Sequence, residues 1–127
     1  MAANQTPSGK PKQAGRRFEP ELVQRVAEAL AAGRRLVAYH RDYCGLGLAC
    51  EKGRYIYAEV WDGQLQGLNT QDDRPPFALV FPDQAEFVQW LGSQSDATLS
   101  RRELPDSFYW HNQTITRQRL RQFVAGS

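Results

Sequence analysis

The chain has 127 residues, of which 41% are hydrophobic and 24% are charged, and its formal net charge is +2. This length is that of one ordinary domain, and the apolar content excludes a wholly disordered chain. No apolar run approaches the roughly 20 residues that span a bilayer, and the N-terminus lacks the apolar stretch of a signal peptide. We therefore expect a soluble, cytoplasmic protein with no membrane partner.

The charge is distributed unevenly along the chain. Residues 1–17 contain four bases and no acid, residues 42–96 contain nine acids and three bases, and residues 97–127 contain five arginines and two acids. The first segment is rich in Pro, Gly, Ser and Gln, which predicts a disordered basic arm over residues 1–17 and a single folded domain over residues 18–127. Four charges on an arm give little affinity for a polyanion at physiological salt, so we expect no nucleic-acid partner.

Three segments have the capping signals and apolar spacing of helices. The first begins at Pro20, whose ring suits the first helical turn, and can end at Gly33. The second begins at the capping box formed by Asp83 and Glu86, and the third has Thr116 as its N-cap. In the third helix we expect the arginines to lie largely in water: Arg117, Arg119 and Arg121.

Between the first two helices the sequence predicts an antiparallel meander. "RLVAYHR" is rich in β-branched and aromatic residues, and "LGLACEKGRYIYAEVW" contains two strands joined by a two-residue turn at Lys52-Gly53. Asp62-Gly63 marks another turn, and "FALVF" is a brief apolar strand. The expected fold class is α+β, with an antiparallel sheet of three to five strands, helices mainly on one face, and the order α-β-β-β-(β)-β-α-α.

Alternation along the predicted hairpin divides the sheet into two faces. One face carries small and aliphatic residues, on which we expect helices to pack: Gly47, Ala49, Ile56, Ala58 and Val60. The other face carries larger residues: Leu46, Leu48, Cys50, Tyr55, Tyr57 and Trp61. Because an antiparallel sheet can leave one face open, the aromatic residues of this second face are candidates for a ligand or partner surface.

The stretch "YHRDYCGLGLAC" holds His40, Cys44 and Cys50, which together with His111 are all the histidines and cysteines of the chain. Structural zinc sites usually use Cys-x₂₋₄-Cys knuckles, whereas five residues separate these two cysteines, so we expect no metal and no cofactor. Cys44 could instead be a nucleophile with a histidine as base, but the charge of Asp42 disfavours its thiolate. We therefore assign no catalytic residue. If the protein is an enzyme, the candidates are His40, Cys44 and His111.

A second informative stretch, "DSFYWHNQTITR", joins three consecutive aromatic residues to His, Asn, Gln and Thr. Such a segment suits either a binding hot spot or a loop folded over the core. If it meets the first stretch, a pocket forms between residues 39–44 and 108–113. That pocket would belong to a small enzyme or a ligand-binding domain.

The segments "DYCGLGLACEKGRYIYAEVWDG", "FPDQAEFVQWLGSQSDATLS" and "NQTITRQRLRQFV" together resemble small bacterial proteins of uncharacterised families. Among these families are the immunity proteins that neutralise polymorphic or contact-delivered toxins. The resemblance implies a cytoplasmic, non-enzymatic protein that binds one protein partner tightly.

On this interpretation acids steer a basic partner, possibly a basic toxin, and aromatic residues supply the desolvated anchor. The expected binding residues are Tyr55, Tyr57, Trp61, Asp62, Asp72 and Asp73. A third hypothesis is a nucleic-acid adaptor that uses the basic arm and the C-terminal arginines.

Overall fold

The computed structural model describes residues 15–39, 45–61, 64–65, 78–99 and 115–126. Within these ranges the elements, in chain order, are α1 (Pro20–Ala31), β1 (Leu36–Tyr39), β2 (Gly45–Glu51), β3 (Arg54–Trp61), β4 (Gln64–Leu65), β5 (Ala78–Phe81), α2 (Gln84–Gly92), α3 (Asp96–Leu99) and α4 (Arg117–Ala125). The strands form one antiparallel sheet, so the predicted α+β class is confirmed. The short helix α3 was not predicted.

The helices begin where their capping signals predict. Asp83 accepts a hydrogen bond from the backbone N–H of Glu86 at 2.9 Å, and Thr116 accepts one from the backbone N–H of Arg119 at 3.2 Å. Pro20 occupies the first turn of α1. These contacts satisfy backbone donors that lack a partner inside the helix. No helix in the described ranges is long and apolar enough to cross a membrane.

The sheet is built around the hairpin of β2 and β3. β1 pairs with β2, while β4 and β5 pair with different parts of β3. At the hairpin turn Lys52 has φ 54° and Gly53 has φ 80°, which are the two left-handed conformations of a type I′ turn. Cys50 therefore opposes Tyr55 across the hairpin, as the two-residue turn predicts.

The helices cover the large-residue face of the sheet, so the prediction that they pack on the small-residue face is wrong. Leu46, Leu48, Tyr55 and Tyr57 belong to one buried cluster with residues of each of the four described helices. Aromatic side chains extend further from the strands than alanines do, and they therefore fill the space between the sheet and a helix better. The opposite face is buried as well: Gly47, Ala49, Ile56, Ala58 and Val60.

Contacts with the folded domain extend to Arg16 and Arg17, just before the predicted boundary at residue 18. Arg17 forms an isolated β-bridge with Ser95, and the backbone N–H of Phe18 donates to the carbonyl of Gln94 at 3.1 Å. The Phe18 side chain is buried in the core. Arg16 and Arg17, assigned to the arm by composition, thus contact the domain, and residues 1–14 lie outside the described residues.

Candidate functional site

Most of the reactive side chains singled out by the sequence lie outside the described residues: His40, Cys44, Asp62, Asp72, Asp73 and His111. Both segments of the predicted pocket fall there too, apart from the strand residue at position 39. Cys50 is a half-buried free thiol at the end of β2. Among the described residues no three His, Cys, Asp or Glu side chains come close enough to hold a metal ion.

Tyr55 and Tyr57 do not belong to a partner surface, because both lie in the core. Their relative exposures are 3% and 0%. The Tyr55 ring stacks on Phe87 with 4.8 Å between centroids, and the Tyr57 ring lies 5.2 Å from that of Trp90. Helix α2 thus covers the aromatic face that was expected to be open. Trp61 is the last residue of β3 and pairs with Gln64.

Burial also changes the chemistry of Tyr55. Its hydroxyl accepts a hydrogen bond from Nε2 of Gln84 at 3.0 Å. Desolvation raises the pKa of Tyr55 above 10.0, because a buried phenolate loses its hydration. Tyr55 therefore stays neutral and acts as a packing and hydrogen-bonding residue.

Glu59 is a buried carboxyl group that the sequence analysis missed. It opposes Leu46 in the hairpin and shares the helix-covered face with Tyr57. Strand alternation indicated that Glu59 lies on the same face as Tyr57, since residues two apart on a strand share a face.

Arg117 joins the last helix to the first described residues of the chain. Its Nη2 donates to the carbonyl oxygens of Arg16 at 2.8 Å and Arg17 at 2.9 Å. Its guanidinium carbon lies 5.3 Å from the ring centroid of Phe18, and its backbone N–H donates to Oδ1 of Asp96 at 2.7 Å. With 8% relative exposure, Arg117 is buried rather than in water as predicted.

The burial of Arg117 follows from helix geometry. Leu120 and Val124 lie three and seven residues further along α4 and are both buried. Positions with this spacing share one face of a helix, so that face includes Arg117. The apolar positions therefore contained the signal, which was overlooked because arginine is usually exposed.

Glu19 is shared among three arginines. Its carboxylate oxygens lie 2.6 Å from Arg16 Nη2, 3.3 Å from Arg117 Nε and 3.4 Å from Arg121 Nη2. The pKa of Glu19 falls to about 2, first because its own backbone donates a hydrogen bond to the carboxylate and then because Arg16 does. The carboxylate thus stays ionised and tethers α4 to the segment before α1.

An open groove runs between α1 and α4. One part has a volume of about 340 Å³ and is lined by Glu19, Glu21, Leu22, Arg25, Arg121, Val124 and Ala125. The next part has a volume of about 350 Å³ and is lined by Arg25, Glu28, Ala29, Ala32, Arg34 and Val124. The two parts share Arg25 and Val124, so they are continuous. The groove has an apolar floor and charged rims.

A third hollow lies on the other flank of the Glu19 contacts. It has a volume of about 310 Å³ and is lined by Arg16, Asp96, Arg117, Gln118 and Arg121. No apolar residue belongs to this lining. It is the most arginine-rich of the three cavities.

Comparisons of the chain with protein-family models, with curated proteins and with solved structures found no match. Its function therefore has to follow from its own residues.

Proposed function

We propose that the protein is a small non-catalytic binding domain that takes a protein partner in the groove between α1 and α4. The observation that carries the proposal is the composition of this groove. Leu22, Val124 and three alanines provide apolar surface, and Arg25 and Arg121 stand on its rims. Protein interfaces combine an apolar centre with a polar border, and arginine is enriched among the residues that dominate their affinity.

The shape of the groove also supports a macromolecular partner. Sites for small ligands are concave and bury most of the ligand surface. This groove is open along its length and runs beside two helices, so it can accept one helix or an extended segment. Its rims carry both signs of charge, which favours a partner of matched polarity over a simple ion.

The particular function we propose is neutralisation of a bacterial toxin in the cytoplasm. It is supported by the resemblance of three segments to small bacterial proteins that include immunity proteins. Since Tyr55 and Tyr57 are buried, the aromatic anchor has to come from the partner or from other residues. Steering of a basic toxin by Asp62, Asp72 and Asp73 stays a prediction, as does the role of Trp61 as an aromatic anchor.

The proposal is tested by filling the groove without disturbing the core. Ala32 and Ala125 are exposed residues of its lining, so Ala32→Lys and Ala125→Lys together place two long side chains in it. Ala85→Lys together with Ala97→Lys, at exposed positions outside the groove, is the matched control and adds the same two charges. The readouts are the growth of bacteria that co-express the protein with a toxin encoded by an adjacent gene, and the Kd of the purified pair by calorimetry.

We expect the unchanged protein and the variant with Ala85→Lys and Ala97→Lys to protect the cells. The groove variant should bind at least about tenfold more weakly, which corresponds to about 1.4 kcal/mol. Equal protection and equal Kd for all three proteins would contradict binding in the groove. Failure of the unchanged protein to protect cells or to bind the toxin would contradict the toxin-neutralising function.

A further inference from the structure

We propose that the partner occupies the groove between α1 and α4 with an amphipathic helix of about three turns, which runs antiparallel to both helices. This inference rests on the proposed binding of a protein partner in the groove, and it specifies what that partner presents. The partner helix brings an apolar stripe to the floor of the groove. To the rim formed by α1 it brings a basic, an acidic and a basic side chain.

The direction of the partner helix follows from the directions of α1 and α4. At one end Glu19, the N-cap of α1, contacts Arg117 and Arg121 in the first half of α4. At the other end Arg34, which follows α1, lies over the ring of Phe123 with 4.3 Å to the centroid. The two helices are therefore parallel, and the negative ends of their dipoles lie at the same end of the groove. The positive N-terminal end of an antiparallel helix is stabilised there.

The dimensions of the groove suit a short helix. Its lining on α1 extends from Glu21 to Ala32, which at 1.5 Å per residue is a length of about 17 Å. The floor contains small side chains at Ala29, Ala32 and Ala125. The distance between two packed helices depends on the side chains at their contact, and small ones permit a close approach.

The walls of the groove favour a helix over an extended segment. An extended segment usually binds by adding a strand to a sheet edge, where its backbone N–H and C=O groups find partners. The walls here are helices, whose backbone groups are paired within each helix. A helical partner satisfies its own backbone groups and needs only side-chain contacts.

The rim formed by α1 carries alternating charges at Glu21, Arg25 and Glu28. These residues are exposed and lie four and three positions apart, so they form one stripe along the helix. Within the part of the chain that the structure describes, neither Glu21 nor Arg25 forms an ion pair. Glu28 accepts a hydrogen bond from the neutral amide of Gln24 at 3.2 Å. The stripe is therefore available to charges of opposite sign on a partner.

A helix antiparallel to α1 meets this stripe in reverse order. A basic residue at position i of the partner lies opposite Glu28, an acidic residue at i+3 opposite Arg25, and a basic residue at i+7 opposite Glu21. A parallel helix would need these charges at i, i+4 and i+7, so their spacing distinguishes the two orientations. Complementary charges across an interface fix its register and disfavour other partners.

The experiment measures the binding of three fluorescent peptides of about 14 residues by anisotropy, each with the same stripe of leucine and alanine. Isolated helices of this length are marginal in water, so a hydrocarbon staple on the outward face holds each peptide helical. The first peptide has Lys, Glu and Lys at i, i+3 and i+7, and the second has Glu, Lys and Glu there. The third has Lys, Glu and Lys at i, i+4 and i+7.

The full chain is compared with a variant in which the charges of the stripe are inverted. Glu21→Lys, Arg25→Glu and Glu28→Lys together change all three signs and raise the net charge by two. The control carries Ala85→Lys and Ala97→Lys, which add the same two charges outside the groove. All five positions are exposed, so the far-UV circular dichroism of both variants should be unchanged.

We expect the unchanged protein and the control to bind the first peptide about tenfold more tightly than the second and about threefold more tightly than the third. The inverted variant should prefer the second peptide to the first by about tenfold. The groove variant with Ala32→Lys and Ala125→Lys should bind the first peptide at least about tenfold more weakly than the unchanged protein does.

Four results would overturn the inference while leaving the groove as the site of a protein partner. Absence of binding of the first peptide at about 1 mM would contradict a helical partner. Equal affinities for the first and second peptides, or the same preference in the inverted variant, would contradict the charge pattern. Tighter binding of the third peptide would contradict the antiparallel direction. The proposed function itself fails on a separate result, a toxin Kd that the groove variant leaves unchanged.

Discussion

Arg117 in the last helix donates a 3.3 Å hydrogen bond from Nε to Oε1 of Glu19, which lies 98 residues earlier in the chain. This contact ties the segment before the first helix to the start of the last one. Since Arg117 is buried and Glu19 has a third of its side chain exposed, the arginine is the member whose removal leaves partly buried polar groups without their donor.

Replacing Arg117 should therefore destabilise the domain strongly. We expect Arg117→Leu to lower the free energy of unfolding by about 3 kcal/mol, because the carbonyls of Arg16 and Arg17 and the Glu19 carboxylate lose their donor. Arg121→Leu is the control and should cost at most about 1 kcal/mol, since its contact with Glu19 is exposed. Urea unfolding measures both values. Equal losses in the two variants would show that Arg117 has no special structural role.

The stability should depend on acid pH through Glu19. Its folded pKa is about 2, against an ordinary value of 4.5, so the folded state favours the ionised carboxylate. The resulting stabilisation is complete above pH 4.5 and is lost as the pH falls towards about 2. Glu19→Gln should remove this part of the pH dependence, which urea unfolding at a series of pH values detects. Glu28→Gln, also on the α1 side of the groove, is the control for loss of one exposed carboxylate. Identical profiles for both variants would contradict the assignment.

Gly47 occupies a position where no side chain fits. An added Cβ would lie 2.8 Å from the carbonyl oxygen of Leu36 and 2.9 Å from Cδ1 of Leu65. Because the first of these atoms belongs to the paired backbone of β1, the sheet has to shift, and we expect Gly47→Ala to cost about 2 kcal/mol. Gly92→Ala in α2, where nothing lies within 4 Å, should be neutral or stabilise by up to about 1 kcal/mol. Thermal unfolding compares the two. A neutral Gly47→Ala would mean that the sheet accommodates the methyl group.

Tyr55 should contribute to stability and not to partner binding. Tyr55→Phe removes the hydroxyl that accepts from Gln84 and keeps the ring on Phe87, so we expect a loss of about 1 kcal/mol. The affinity for the proposed toxin partner should stay at the value of the unchanged protein, because the ring lies under α2. Calorimetry of the pair, alongside urea unfolding, checks both statements. A weaker Kd with unchanged stability would return Tyr55 to the binding surface.

Local features of the fold were predictable because their causes lie within a few residues. The turn at Lys52-Gly53, the caps at Asp83 and Thr116, and the register of the central hairpin all follow from short-range geometry. The candidate site was less predictable. Alternation grouped Tyr55 and Tyr57 on one face correctly, yet it carries no information on whether a helix covers that face.

The sequence by itself determined the order of helices and strands, the hairpin and the uneven distribution of charge. Only the tertiary structure decided that α2 covers the aromatic face and that Arg16 and Arg121 meet at Glu19. The physical reason is how far apart along the chain the residues that determine each feature lie. Caps and turns are set by neighbouring residues, whereas burial and the meeting of distant charges depend on how segments up to 101 residues apart pack together.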